Sequence, residues 1–348
     1  MDAMRRATKA TQSGNPLDAT RVIQQALSGN PSPEPAPSDD FDGVTIDGTV
    51  EGTVEKEAGA RQADGPVDIA PMLSQSYSGP AGARDYRLFL PPTAPDGVRG
   101  LILMLHGCTQ GPDDFARGTA MNAIAAREGL AVAYPGQTSA HNANGCWNWF
   151  EPSHQRNGAG EPAILAGLAQ DVAATHGVPQ GAIYAAGLSA GGAMAAILGG
   201  AYPEVFAAVG VHSGLPAGSA RDVGSAFAAM SGGAGERATT PFSGKAHARM
   251  MVVHGARDRT VVPDNGRQLF DAMSAAFPDA RPEAQPEDAQ GATRTRLVRP
   301  DGTVVAERWN IAALGHAWSG GDPSGSYTAP RKPDASEGFV QFFLHPKS

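Results

Sequence analysis

Gly187-Leu188-Ser189-Ala190-Gly191 sets a serine between two glycines, with the apolar run Ala182 to Ala186 before it and a small-residue helical pattern after it. A serine on a sharp strand-to-helix turn presents its hydroxyl clear of the backbone, and the flanking glycines leave room for the turn and for an incoming acyl group. A hydroxyl is a weak nucleophile at neutral pH. Ser189 therefore needs a base within hydrogen-bond reach and a third group to orient that base, and the chemistry would be acyl transfer.

For a nucleophile of this type the chain order is serine, then carboxylate, then histidine. Of nine histidines, His316 and His345 lie beyond the acidic residues that follow the last parallel strand. His316 sits in the Gly-containing turn Leu314 to Trp318 and is the expected base; His345 is close to a chain end, where fraying concentrates. Asp258 follows the buried run Met250 to Val253, so the end of a strand would present it to His316. Its bland alternative is an ion pair with Arg257 or Arg259. Asp264 competes for the acid role, but a helix N-cap accounts for it without chemistry. The charge that develops on a tetrahedral intermediate calls for amide donors already in place. The expected pair is the N–H of Ala190 and that of Cys108, in His106-Gly107-Cys108 after another apolar run. Cys108 as a nucleophile is the sharper alternative; His106 and His254, each before a glycine, read as structural polarity.

Two cysteines, Cys108 and Cys146, are too few for a metal cage and enough for one bridge. Asn144 to Phe150 concentrates two of the four tryptophans. Trp147 and Trp318 are the candidate substrate contacts, gripping a flat or polymeric ligand if they face the cleft, with buried packing as the alternative. No H-x-x-x-H or Cys/His spacing suggests a metal, and Gly187 to Gly192 lacks the lysine of a phosphate loop, so no cofactor is expected.

The elements that must position these residues alternate. Ser74 to Tyr77 and Asp85 to Leu90 read as an antiparallel start. Leu101 to Leu105, Leu130 to Tyr134, Ala182 to Ala186, Phe206 to Val211 and Arg249 to Val253 read as buried strands, and helices fall over Asp113 to Arg127, Glu161 to Thr175 and the stretch after Ser189. This implies an α/β fold with a mostly parallel, doubly wound sheet, helices on both faces and a site at the strands' carboxyl ends. Asp301-Gly302 predicts a hairpin between Arg294 to Val298 and Thr303 to Ile311. Gly214 to Ala246 and Ala280 to Thr293 read as excursions, and Glu337 to Leu344 as a closing helix. Residues 1–29 read as an N-terminal helical segment, with Asn15-Pro16 as its expected start, that would pack on its own domain or dock a partner or surface. Residues 30–69, rich in Pro, Gly and acidic residues, read as a linker, and 70–348 as the catalytic domain.

A net charge of −8 with no basic cluster beyond Arg5-Arg6 argues against a nucleic-acid partner, and nothing is long and apolar enough to span a membrane. No signal peptide is readable, so an intracellular location is the expectation.

Six stretches in order, LHGCTQ (Leu105 to Gln110), AYPGQ (Ala133 to Gln137), NGCWNWF (Asn144 to Phe150), GLSAGGAM (Gly187 to Met194), HGARDRTV (His254 to Val261) and GHAWSGG (Gly315 to Gly321), resemble the catalytic domain of the poly(3-hydroxybutyrate) depolymerase family of esterases. The resemblance covers roughly Ala70 to Leu344. It implies an α/β-hydrolase fold, a triad matching Ser189, Asp258 and His316, and metal-free cleavage of a carboxylic ester, oligomeric or polymeric. Feruloyl and acetylxylan esterases are relatives, and no Thr-rich linker or polymer-binding module is readable beside the domain. A hydrolase-like shell that binds a polymer or partner without turnover is the expectation of another class.

Overall fold

Uninterrupted apolar runs form the centre of one ten-stranded sheet, because side chains that alternate to opposite faces of a strand must all be apolar when both faces are covered. The computed structural model describes residues 71–92, 97–232, 247–331 and 333–347. They fall in one unit, Ile69–Ser348. The predicted N-terminal helix and linker lie outside the described residues.

Strands β1 (Leu73–Gly79) and β2 (Gly82–Phe89) open the sheet as an antiparallel pair. The parallel body follows: β3 (Gly100–Leu105), β4 (Leu130–Pro135), β5 (Ile183–Leu188), β6 (Ala208–His212) and β7 (Arg249–Gly255). Strands β8 (Arg281–Gln285), β9 (Ala292–Val298) and β10 (Val304–Ile311) complete it, in the spatial order β1-β2-β4-β3-β5-β6-β7-β10-β9-β8. Along β3, Leu101, Leu103 and Leu105 enter one core while Ile102 and Met104 enter the other. The first core is closed by α3 (Gly160–Thr175), α4 (Ala190–Ala201) and α6 (Asp264–Ala276). The second is closed by α1 (Pro112–Thr119), α2 (Met121–Glu128) and α7 (Ala335–Leu344). Strand order reverses between β3 and β5, which places the crevice of an open α/β sheet beside the Ser189 turn.

Three expectations are corrected. The single helix over Asp113 to Arg127 is two, because Ala120 takes a left-handed conformation (φ 50°) that ends α1 and starts α2. Within Gly214 to Ala246 the described part contains a helix, α5 (Val223–Met230), started by a reciprocal Asp222–Ser225 cap. Ala280 to Thr293 is no excursion: Arg281–Gln285 extends the sheet as its last strand. Every residue of that strand is exposed, so no apolar alternation marks it, and Pro282 and Glu283 suit an unpaired edge. The Asp301-Gly302 hairpin forms as predicted, with Gly302 at φ 81° and Arg299 N–H donating to Thr303 O at 2.9 Å.

The tightest approach lies under the Ser189 turn. A Cβ on Gly191 would fall on the carbonyl oxygens of Leu105 and His106, and one on Gly187 would meet Leu105 O at 2.7 Å. Gly191→Ala should therefore destabilise the fold by about 2 kcal/mol or more, since a backbone neighbour cannot turn aside. Gly224→Ala in the first turn of α5, where a Cβ meets only Asp222 Oδ1 at 3.5 Å, should be neutral or mildly stabilising. Thermal unfolding of the two variants checks the contrast.

Candidate active site

Four strand ends and the loops after them supply the site. Ser189, between β5 and α4, has φ 57° and ψ −118°, a strained conformation for a residue with a side chain. Its N–H donates to His212 O at 2.9 Å, which fixes the turn to the end of β6. Ala190 is the first residue of α4, so its amide has no carbonyl one turn back.

The loop after β3 brings the second amide. Gly107 N–H is taken by Gln110 Oε1 (2.9 Å), Gln110 N–H by Gly107 O (3.3 Å) and Thr109 N–H by Asn144 O (3.0 Å). Among the described residues no hydrogen bond takes the Cys108 amide. The Gly107 position lies against the turn, since a Cβ there would sit 3.7 Å from Ser189 Cβ. Cys108 is joined to Cys146 by a disulfide, which removes it as a nucleophile.

Asp258 follows β7 and is buried. Its Oδ1 accepts from the amides of Thr260 and Val261, both at 2.9 Å, and its Oδ2 accepts from His316 Nδ1 at 2.7 Å. Arg257 and Arg259 are not its partners. His254 Nε2 lies 3.5 Å from Oδ2 and donates to Val261 O at 2.8 Å. Burial alone would raise the Asp258 carboxyl. The facing His254 and His316 and the Val261 amide outweigh it and hold the group well below the carboxylate range. Asp258 is thus ionised and its bond leaves Nε2 as the free acceptor of His316, the tautomer a general base requires. The His316 turn is tied to the β7 end by Arg257 N–H to Leu314 O and Ala256 N–H to Ile311 O, both 2.9 Å. Among the described residues no hydrogen bond joins the Ser189 hydroxyl to His316; such bonds commonly close only around a substrate.

The competing residues sit elsewhere. His345 caps α7 beside the amino end of β10, where Val304 N–H donates to Pro346 O, whereas His316 follows that strand's carboxyl end. Asp264 is the first residue of α6 and not its N-cap, which is Pro263, and its carboxylate is taken by Arg267 and Gln268. Trp147 and Trp318 are corrected as substrate contacts, because both are fully buried. Trp147 Nε1 donates to His106 O (3.1 Å) beneath the Cys108 loop, and Trp318 Nε1 to Ser336 Oγ (3.0 Å) beneath the His316 loop. A tryptophan next to a polar motif reads the same in sequence whether it faces solvent or supports a loop.

The sequence reading missed two supporting groups. His212, at the end of β6, holds Ser189 N–H with its carbonyl, accepts Ser319 N–H at its Nε2 (3.1 Å) and stacks on Trp318. It therefore joins the serine turn to the histidine loop. Burial first, then the neighbouring His254 and His316, lowers its pKa to about 3 against the pull of Asp258. Its place after an apolar run was a signal, the same that marked Asp258. Glu161, buried at the start of α3, accepts from Asn148 N–H (2.7 Å), Asn148 Nδ2 (2.9 Å) and Gln137 Nε2, with Arg84 at 3.5 Å. Burial pushes this carboxyl up, and the neighbouring His154 with the Asn148 and Gln137 donors brings it below its ordinary value. This network holds the Cys146 segment under the Cys108 loop, and a lone glutamate in a helical pattern gives no sign of it. His106 is likewise structural, with Nδ1 donating to Gly107 O and Nε2 accepting Gln137 N–H.

Residues 84–282 match the family described as Esterase PHB depolymerase. The chain is 35% identical over 94 residues to poly(3-hydroxyalkanoate) depolymerase C of Paucimonas lemoignei and 33% identical over 111 residues to poly(3-hydroxybutyrate) depolymerase of Ralstonia pickettii. These matches cover 27% and 30% of this chain and 22% of each relative, so the chain matches about a fifth of their length. In structure it is similar to acetyl xylan esterase from Aspergillus awamori (TM-score 0.60, 19% identity, 71% of this chain and 94% of that one). It is also similar to Pyrococcus horikoshii acylaminoacyl peptidase (TM-score 0.54, 10% identity, 81% and 42%). The fold is that of the α/β-hydrolases.

Two outcomes follow from these contacts. Removing the bridge, which closes a loop of 38 residues, in a Cys108→Ser/Cys146→Ser variant should cost about 4 kcal/mol in denaturant unfolding. The unfolded chain binds a proton at a histidine pKa near 6.5, but the folded His212 refuses it until about pH 3, so its neutral form adds stability that is lost as pH falls through that window. Between pH 7 and 4.5 the wild type should lose roughly 3 kcal/mol more than His212→Gln, as read by urea unfolding at the two pH values.

Proposed function

The chain belongs to the esterase PHB depolymerase family, and from that membership we propose that it is a serine esterase acting through an acyl-enzyme on Ser189. The observation that carries this is the 2.7 Å His316–Asp258 bond at the strand ends flanking a strained serine turn. Ser189 Oγ attacks the ester carbonyl as His316 Nε2 takes its proton. The C=O bond becomes an oxyanion received by the Cys108 and Ala190 amides, each worth about 3 kcal/mol in the transition state. Collapse breaks the C–O bond to the alcohol, which leaves with the proton from His316. Water then repeats the sequence and releases the acid and free Ser189. Asp258 stays ionised throughout and stabilises the imidazolium.

The substrate class proposed is a polyester or oligoester of a 3-hydroxy acid. Support comes from the family's description and from the names of the two depolymerases that share the matched stretch. The Cys108–Cys146 bridge supports an oxidising compartment over the intracellular location that the sequence suggested.

Hydrolysis of p-nitrophenyl butyrate tests the mechanism. Ser189→Ala should lower turnover by at least about 10³-fold and Asp258→Asn by about 10⁴-fold, while Asp264→Asn stays near wild type. Turnover that survives Ser189→Ala ends the serine reading. A soluble 3-hydroxybutyrate oligomer set against acetylated xylan tests the substrate class, and cleavage of the xylan ester alone would replace it.

A further inference from the structure

With Trp147 and Trp318 buried, another surface must meet whatever extends beyond the scissile bond. Leu73, Val223 and Tyr327 are the large hydrophobic residues exposed among the described residues. Tyr327 is the one that reaches the oxyanion loop, its Oη 3.3 Å from Thr109 Oγ1, next to the Cys108 amide.

Tyr327 is also held in place at a cost. Its φ is 52°, a left-handed conformation that a bulky side chain rarely adopts. Its carbonyl accepts Trp318 N–H at 2.7 Å, which ties it to the strand pair β11 (Trp318–Ser319) and β12 (Thr328–Ala329) just past His316. On the other side, Gln110 Nε2 donates to Ser326 O (3.0 Å), and Asp114 accepts the Ser326 amide (3.1 Å) and hydroxyl (2.5 Å). Asp322 N–H donates to Gly118 O (2.9 Å), and a Cβ on Gly118 would meet Thr328 Cγ2 at 2.9 Å, so the loop lies directly on α1. These bonds thus span the Cys108 loop and the His316 loop and set Tyr327, 48% exposed, between them. A strained buried residue is repaid by packing; Tyr327 is left about half open to water.

We propose that Tyr327 is a substrate-contacting specificity residue, packing its ring against the aliphatic repeat next to the scissile bond of an oligoester while Thr109 holds its hydroxyl. This rests on the esterase reading above. The chemistry fits: a hydroxyalkanoate repeat is apolar along its side and carries no charge, so an aromatic face adds affinity without a charged partner. A short ester that ends at its acyl carbon would not reach the ring.

The test compares kcat and KM for p-nitrophenyl acetate and for a 3-hydroxybutyrate tetramer in wild type, Tyr327→Phe, Tyr327→Ala and Tyr327→Gly. Glycine suits φ 52°, so Tyr327→Gly removes the ring without adding backbone strain. Both ring-less variants should lose about tenfold or more in kcat/KM on the tetramer, mostly through KM, and stay within about twofold on the acetate; Tyr327→Phe should lose threefold at most. Equal losses on both substrates would make the residue structural, and an unchanged or absent tetramer reaction would overturn the proposal. Wild-type protein that fails to turn over the acetate, or turns it over without Ser189, defeats the esterase reading instead.

Discussion

The site depends on one close approach of backbone to backbone. Helix α4 begins so near the end of β3 that Gly191 lies against the carbonyls of Leu105 and His106. That proximity sets the Ser189 turn beside the loop that carries the Cys108 amide. It also forces Ser189 into a conformation with φ 57°, a local cost of about 1 to 3 kcal/mol that the surrounding core must over-determine. The core does so with layers apolar on both faces and with the bond from Ser189 N–H to His212 O. A side chain at Gly187 or Gly191 would separate these layers, and the geometry of the site would go with them.

Around this contact the polar groups are arranged so that each loop is held by a buried partner. Glu161 and Arg84 sit beneath the Trp147 segment, which bonds to the Cys108 loop through Cys146, Asn144 and the Trp147 indole. His212 and Ser336 sit beneath the His316 loop through Ser319 and Trp318. Unpaired, any of these buried groups would cost on the order of 1 to 3 kcal/mol. Glu161, His212 and Ser336 are satisfied, and they leave few rotamers to the residues above them. The tryptophans that drew attention in the sequence work from below the site, as rigid supports with one hydrogen bond each.

Legibility followed period and order. Buried strands announce themselves as apolar runs, and a carboxylate or histidine after such a run is placed at a strand's end by the topology alone; Ser189, Asp258 and His316 could be placed at strand ends this way. The edge strand Arg281–Gln285 was missed because an exposed strand carries no alternation. The break at Ala120 was missed because the left-handed residue is an alanine, while the nearby Gly118 lies inside α1. Tyr327 stood outside every motif, since its exposure and its contact with Thr109 come from a loop more than two hundred residues away in sequence.

By itself the sequence determined the α/β class and which polar residues stand at strand ends, because those depend on local pattern and on a topology with few alternatives. Tertiary structure alone decided which of the polar and aromatic side chains face the cleft. It put His316 and His345 at opposite ends of β10 and set Asp258 against His316, drew Cys108 and Cys146 into a bridge, and turned Trp147 and Trp318 inward. It also left Tyr327 at the surface beside the oxyanion loop. Burial and orientation depend on what packs against a residue from distant parts of the chain, and neither composition nor spacing records that.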